Sequence, residues 1–420
     1  MSILIEKIDK HKIILFLFLL ATLNLFTFWV LYDFHPVFDT ASFIDMIKFF
    51  RGFDVLYMSE ARYLNPFYAV IGSKVLFFMS PEQSLIMTNV AFYYGLVFLT
   101  YGLIRRVFKN NFIGFASAIT VMSGYAMVRY ALTQSQDMGG YFWFLLTIYA
   151  GWRWWENKRR ASMDGARYDF VKSNKAWLYL GGVAVAFGVL TKESGCMGAL
   201  FVGILFLLDK TSWKDRVFNF LRFSIFPFAT IVLNMFRGQD VNYNSARWFI
   251  YAWKGYAVEN YTLLKWFGVH ASTYNILWLF IIVGLYFLIK NWRTLDGNIK
   301  IYLLAVIPSS MSYYLWSLFI ARTVFISAWF FVPIASYGIY TVYSKGRWFK
   351  QASIGMIILA VVTPYFIQST LRYGTLFTIL GLCKNNIPCT WNYFWKNRDQ
   401  FSTTGEYLNF DYKHEIQIRP

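Results

Sequence analysis

Two carboxylates, Asp39 and Asp137, and a small set of cations, Lys192, Arg322, Arg129 and Arg62, stand at or near the ends of apolar runs. Charge is expensive at membrane depth, and where it occurs it usually faces a cavity or a partner. Two separated carboxylates with several cations suit transfer of a group from a phosphate-linked donor to a hydroxyl or amine. One carboxylate removes the acceptor's proton as general base. The cations stabilise charge building on the departing phosphate, and arginine suits that task because its planar fork binds phosphate oxygens in pairs. Asp39 lies in the stretch 32–66, which also holds Asp33, Asp45, Asp54 and Glu60, five of the 22 acidic residues in all. Asp33, Asp45 and Asp54 read as ordinary charges on a wet loop, whereas Glu60, Glu193 and His35 are further site candidates. No Walker loop, nucleotide fingerprint or zinc motif is present. His35 and His270 are too scattered to read as metal ligands.

The elements that must position these groups are membrane helices. Of 420 residues, 57% are hydrophobic and only 15% charged, where a soluble protein would be nearer one quarter charged. The net charge of +18 lies in short clusters between apolar runs, as the positive-inside rule requires, and does not signal nucleic acid. Hydropathy predicts an all-α polytopic protein with about eleven spans: 13–31, 84–104, 112–128, 140–155, 177–190, 196–208, 219–236, 274–289, 301–320, 325–343 and 352–370. Loop charge places the N-terminus in the cytoplasm and the C-terminus outside, in a multi-pass protein of the inner (plasma) membrane. The helix ends carrying Asp39, Asp137, Lys192, Glu193 and Arg322 then share the outer face. Residues 40–50, with Phe43, Ile44, Ile47 and Phe50 at helical spacing, suit a helix lying in the interface, and 65–79 suits a second, shallow one.

Each candidate also has a plain structural reading. Asp137 fits an N-cap for a helix beginning at Met138, Lys192 and Glu193 fit a local ion pair, and Arg129 and Arg322 fit snorkelling cations. The chain divides into 1–208, containing the loop 32–66; 209–370, containing an external loop 237–273; and an external tail, 371–420. Trp248, Tyr251, Trp253 and Tyr256 in the second loop suit either an interfacial belt or stacking on an acceptor's sugar rings. Cys383 and Cys389 can pair only in an oxidising compartment. A lipid or sugar transporter is the competing class. It should carry charges at mid-span and show broken or repeated helices, and neither pattern stands out.

The order of these residues resembles a family. Asp39 is followed by Glu60-Ala61-Arg62-Tyr63-Leu64-Asn65-Pro66-Phe67-Tyr68, Arg105-Arg106, the stretch from Arg129 to Asp137, and Leu190-Thr191-Lys192-Glu193-Ser194-Gly195. This is similar to the N-terminal module of the GT-C membrane glycosyltransferases, which include protein O-mannosyltransferases and lipid A aminoarabinose transferases. Arg322, followed by Pro333, resembles their late arginine-to-proline segment. The resemblance implies inverting transfer of a sugar from a polyprenyl-phosphate donor to a glycan or lipid-linked acceptor. Asp39 would be the base or acceptor-orienting carboxylate, Asp137 the second carboxylate, and Arg322, Lys192, Arg129 and Arg62 the phosphate ligands. Relatives differ in whether a divalent metal lies between such carboxylates, and these residues leave that open. The architecture is also similar to phage-type serotype-converting transferases that glucosylate the O-antigen of lipopolysaccharide.

Overall fold

The computed structural model describes residues 10–31, 40–55, 63–164, 169–241, 270, 273–274, 276–315 and 324–372. Among the described residues every regular element is a helix. The first half comprises α1 (Lys10–Leu31), α2 (Thr40–Phe50), α3 (Phe67–Val70), α4 (Pro81–Phe108), α5 (Asn111–Met122), α6 (Tyr125–Ala131), α7 (Asp137–Asp164), α8 (Asp169–Thr191), α9 (Glu193–Cys196) and α10 (Gly198–Leu208). The second comprises α11 (Trp213–Val241), α12 (Ile281–Lys290), α13 (Gly297–Met311), α14 (Ala328–Tyr343) and α15 (Arg347–Arg372).

Local sequence sets several of these limits. Ser80 accepts from the Gln83 N–H at 3.1 Å while the Gln83 side chain accepts from the Ser80 N–H at 3.3 Å, a capping box that starts α4 with Pro81 in its first turn. The helix stops at Lys109, whose φ of 50° is left-handed. Asn110 then caps α5 by accepting from the Ile113 N–H at 3.0 Å.

Four described stretches are long and apolar enough to cross a membrane: His11–Trp29, Pro81–Phe108, Trp213–Arg237 and Phe325–Tyr343. Their surroundings differ. Only 11% of the apolar window in Trp213–Arg237 is buried by protein, against 72% in Phe325–Tyr343. So most of the apolar surface of α11 is left uncovered by protein, while α14 forms the enclosed axis of the bundle. Hydrogen bonds between helices fasten that axis, as expected where apolar surface alone gives no drive to associate. Trp329 Nε1 donates to Thr100 Oγ1 at 3.1 Å, Ser117 Oγ to Ser336 Oγ at 2.9 Å, and Tyr302 OH to the Trp329 carbonyl at 2.6 Å.

The expected span 112–128 is not one helix. It breaks at Ser123-Gly124 into α5 and α6. Ser123 turns its hydroxyl back to the Ile119 carbonyl at 2.6 Å. The Met122 carbonyl is taken by Asn24 Nδ2 at 3.0 Å and by Tyr93 OH at 3.1 Å. Polar side chains from α1 and α4 thus satisfy a helix end inside the bundle. The expected span 301–320 likewise ends as α-helix at Met311 and tightens into a 3₁₀ turn over Ser312–Leu315.

Residues 40–50 form α2 as the spacing predicts, with Phe43, Met46 and Ile47 buried against Tyr68, Ala69 and Leu85. Asp45 is not a wet loop residue. It sits on this helix with its side chain 17% exposed, 3.6 Å from Lys48. Burial raises its pKa, and Lys48 opposes the shift. Asp54 is exposed, as expected. The shallow segment after Pro66 is α3 running into a π-helical turn, Ile71–Val75. Arg51 locks α2 to it by donating to the carbonyls of Gly72 (2.6 Å), Leu76 (3.2 Å) and Met79 (2.8 Å).

Among the described residues of the second half, α12 and the 3₁₀ turn before it (Ile276–Phe280) pack closely on α14. A Cβ on Gly338 would lie 2.4 Å from the Phe280 carbonyl oxygen and 2.7 Å from the Gly284 nitrogen. Gly338→Leu should therefore force the helices apart and cost about 1–3 kcal/mol. The check is the thermal unfolding midpoint in detergent, and an unchanged midpoint would show that the two helices do not meet along this line.

Candidate active site

The site is built on the turn 132–136 that delivers the chain into α7. Asn89, fully buried on α4, donates through Nδ2 to the carbonyls of Thr133 and Ser135, both at 2.8 Å. Its Oδ1 accepts from the Tyr68 hydroxyl of α3. That hydroxyl in turn accepts from the Gly139 N–H at 2.9 Å, one of the amides left without a helical partner in the first turn of α7. Burial holds the Tyr68 hydroxyl well above its ordinary pKa; the Gly139 N–H works the other way and the Asp137 charge adds to the rise. Tyr68 is therefore a neutral donor throughout the physiological range. Thr40, the first residue of α2, ties in from a third side by donating to the Gln134 carbonyl at 3.1 Å.

Asp137 is the first residue of α7 rather than the cap before it. The Gly140 N–H donates to the Gln136 carbonyl at 3.3 Å, so the helical ladder already starts at Gln136. The carboxylate is consequently free of capping and points to Lys192, whose Nζ donates to its Oδ1. The Asp137 side chain is 3% exposed and that of Lys192 26%. A carboxylate so buried keeps its charge only beside a cation. The expected local pair of Lys192 with Glu193 does not form, because Lys192 reaches back across 55 residues of sequence and Glu193 is exposed.

Two close approaches allow this reach. Lys192 is extended between α8 and α9, its N–H held by the Gly188 carbonyl at 2.8 Å. Its stem crosses α7 at Gly140, where a Cβ would sit 3.3 Å from Lys192 Cβ and 2.5 Å from Ser194 Oγ. Beneath it Gly188 and Gly195 touch, each leaving no room for a Cβ on the other (2.6 Å). Asn65 binds the segment before α3 to the end of α8, its amide nitrogen donating to the Val189 carbonyl at 2.9 Å. Around the pair lie buried polar atoms with no hydrogen-bond partner among the described residues: Thr133 Oγ1, Gln134 Oε1, Ser135 Oγ, Gln136 Oε1 and Ser194 Oγ. So many unmet groups around one turn mark a place where a ligand or water completes the structure.

Of the residues singled out from sequence, the structure brings Asp137 and Lys192 together. Arg129 is half-buried in the last turn of α6, on the helix that leads into the same turn. Asp39, His35, Glu60, Arg62, Arg322, Trp248, Tyr251, Trp253 and Tyr256 lie outside the described residues, as do Cys383 and Cys389. The described residues do not make a metal centre: no three His, Cys, Asp or Glu side chains converge among them, and an ammonium already sits on Asp137. Sequence reasoning gave no role to Tyr68, quoted only as part of a motif, and passed over Asn89; both are neutral and ordinary in type. Arg237 at the end of α11 was also missed; it donates to the Tyr63 carbonyl and lies 4.6 Å from the centre of the Tyr63 ring. The opposite end of the bundle carries separate ion pairs, Arg106–Glu156, Lys158–Asp209 and Lys109–Asp296.

No protein-family model matches the chain, and no curated protein matches it by sequence. Solved structures do. The apo oligosaccharyltransferase of Archaeoglobus fulgidus matches with a TM-score of 0.57 at 11% identity, over 88% of this chain and 55% of its own. The oligosaccharyltransferase AglB of the same organism, in complex with an inhibitory peptide and a dolichol-phosphate, matches at 0.55 and 13%, over 84% and 55%. ArnT of Cupriavidus metallidurans matches at 0.53 and 13%, over 91% and 67%. The chain thus spans little more than half the length of the two archaeal structures. The chain shares the fold of these three structures, a likeness that the order of motifs leads one to expect.

Removing the Tyr68 hydroxyl should leave both Asn89 Oδ1 and the Gly139 N–H unmet. Tyr68→Phe is expected to cost about 1–3 kcal/mol, seen as a lower unfolding midpoint. A midpoint equal to wild type would show that the hydroxyl does not hold the turn.

Proposed function

We propose that this chain is an inverting glycosyltransferase, moving a sugar from a polyprenyl-phosphate donor to a glycan or lipid-linked acceptor at the outer face of the inner membrane. The observation that carries the reading is the buried Asp137–Lys192 pair at a helix end of a GT-C fold. A neighbour of that fold was solved with a dolichol-phosphate, which is the chemistry a membrane-depth ammonium suits. In the reaction the acceptor oxygen attacks the anomeric carbon and the bond from that carbon to the donor phosphate breaks. The acceptor's proton goes to a carboxylate, and polyprenyl phosphate leaves. Asp39 serves as base or as the group orienting the acceptor; its neighbour in sequence, Thr40, donates to the Gln134 carbonyl of the turn. Asp137 is the second carboxylate. Lys192, with Arg322, Arg129 and Arg62, answers the charge on the leaving phosphate.

The unmet hydroxyls and amides of residues 133–136 and 194 are of the kind that receive sugar hydroxyls. Trp248, Tyr251, Trp253 and Tyr256 serve the acceptor, whose identity as O-antigen follows only from the architectural likeness. The described ion pairs lie towards helix ends rather than at mid-span, which favours transfer over transport.

Asp137→Asn keeps the side chain's size but removes its charge, and should abolish transfer of radiolabelled sugar from a polyprenyl-phosphate donor in reconstituted vesicles. Near-normal turnover by that variant would remove the carboxylate from the mechanism. Arg322→Lys keeps charge but loses the fork, with an expected loss of about 2 kcal/mol or more in transition-state stabilisation. Wild-type kcat/KM in that variant would exclude bidentate phosphate binding.

A further inference from the structure

If Lys192 is to receive a phosphate, the structure poses a conflict, because its ammonium is already committed to Asp137. Among the described residues neither group has a second ion-pair partner. The two sides of the pair are unequal. Asp137 is 3% exposed and fixed at the first turn of α7, whereas Lys192 is 26% exposed, so a ligand entering the site meets the ammonium first. The lysine is also the movable member. Its backbone is pinned at Gly188, but its four-carbon stem rests over Gly140, where there is no side chain to hold it.

We propose that Asp137 is an exchangeable counterion: the phosphate of the released polyprenyl phosphate draws the Lys192 ammonium away from it. This rests on the functional reading above and adds to it what Lys192 leaves when the product phosphate binds. No bond is made or broken in the exchange; one ion pair, ammonium with carboxylate, is replaced by another, ammonium with phosphate. A phosphate monoester carries about −1.5 to −2 at neutral pH, so it competes for a single ammonium better than a carboxylate of charge −1. A phosphodiester donor carries one charge, so the released polyprenyl phosphate should hold Lys192 more tightly than the donor does.

The exchange predicts opposite effects of one substitution on two measurements. Asp137→Asn should abolish transfer and yet bind polyprenyl phosphate on the order of tenfold more tightly, because a competing negative charge beside the ammonium is gone. Lys192→Met should weaken that binding, and adding Asp137→Asn to Lys192→Met should then bring no gain. The probe is a short-chain polyprenyl phosphate titrated into the full-length protein in nanodiscs. Equal or weaker binding by Asp137→Asn, with wild-type protein binding normally, would overturn the exchange while leaving the functional reading in place. No binding by wild-type protein would overturn the functional reading itself, and the exchange with it. Should Asp137→Asn fail to fold, infrared difference spectra of the wild-type protein read the same event. Adding polyprenyl phosphate must shift a carboxylate stretching band, and must not do so in Lys192→Met. A wild-type spectrum without that shift overturns the proposal.

Discussion

A carboxylate shut away from water at the end of a membrane helix sets the terms for everything around it. Asp137 loses its hydration when α7, α8 and the turn before α7 close over it, and only a cation placed within hydrogen-bond reach offsets that loss. The cation must come from elsewhere in the chain, so Lys192 has to leave the end of α8 extended and cross α7. That crossing in turn requires the helices to approach more closely than side chains permit, hence glycine at 140, 188 and 195. The turn itself must be rigid enough to aim Asp137. Asn89 supplies this by occupying two carbonyls of an otherwise irregular stretch. Charge, backbone and packing at this end of the bundle form one dependent set.

The rest of the fold carries that set with little chemistry of its own. Helix α14 binds the two halves through hydroxyl, indole and phenol contacts. The α2–α3 pair forms a separate small cluster, clamped by Arg51 and joined to the site through Tyr68 and Thr40. The ion pairs at the far end lie on helices that also line the site: Arg106 on α4 and Glu156 on α7. Helix α7 is thereby tied towards both of its ends.

How much of this could be read from the chain follows from the range of each interaction. Apolar length and loop charge are local sums, and they located most helices, including α2, whose residues 40–50 repeat at helical spacing. The break at Ser123-Gly124 was hidden, because an apolar run looks continuous when the groups that satisfy its interruption, Asn24 and Tyr93, lie on other helices. Asp137 and Lys192 were both visible as misplaced charges, but not as each other's partners. Lys192 has a nearer acid in Glu193, and only the geometry of α8 and α9 turns it away. Tyr68 stood in the sequence only as the last residue of a motif and Asn89 not at all, since a neutral phenol and an amide are common in helices and become special only through what they touch.

The glycines that let Lys192 cross α7 also bear on how such a protein can change over generations. Positions 188 and 195 leave no room for a side chain because backbone meets backbone there, whichever sugar is carried, while 139 and 140 are crowded by the side chains of Tyr68, Thr191 and Ser194. Groups that would recognise a particular sugar or acceptor, such as the hydroxyls and amides of the neighbouring turn, are under no such restriction. Drift in substrate preference is therefore open to this scaffold through the polar residues beside the glycines. Gly188 and Gly195, by contrast, are held by the backbone contact on which the Asp137–Lys192 pair rests.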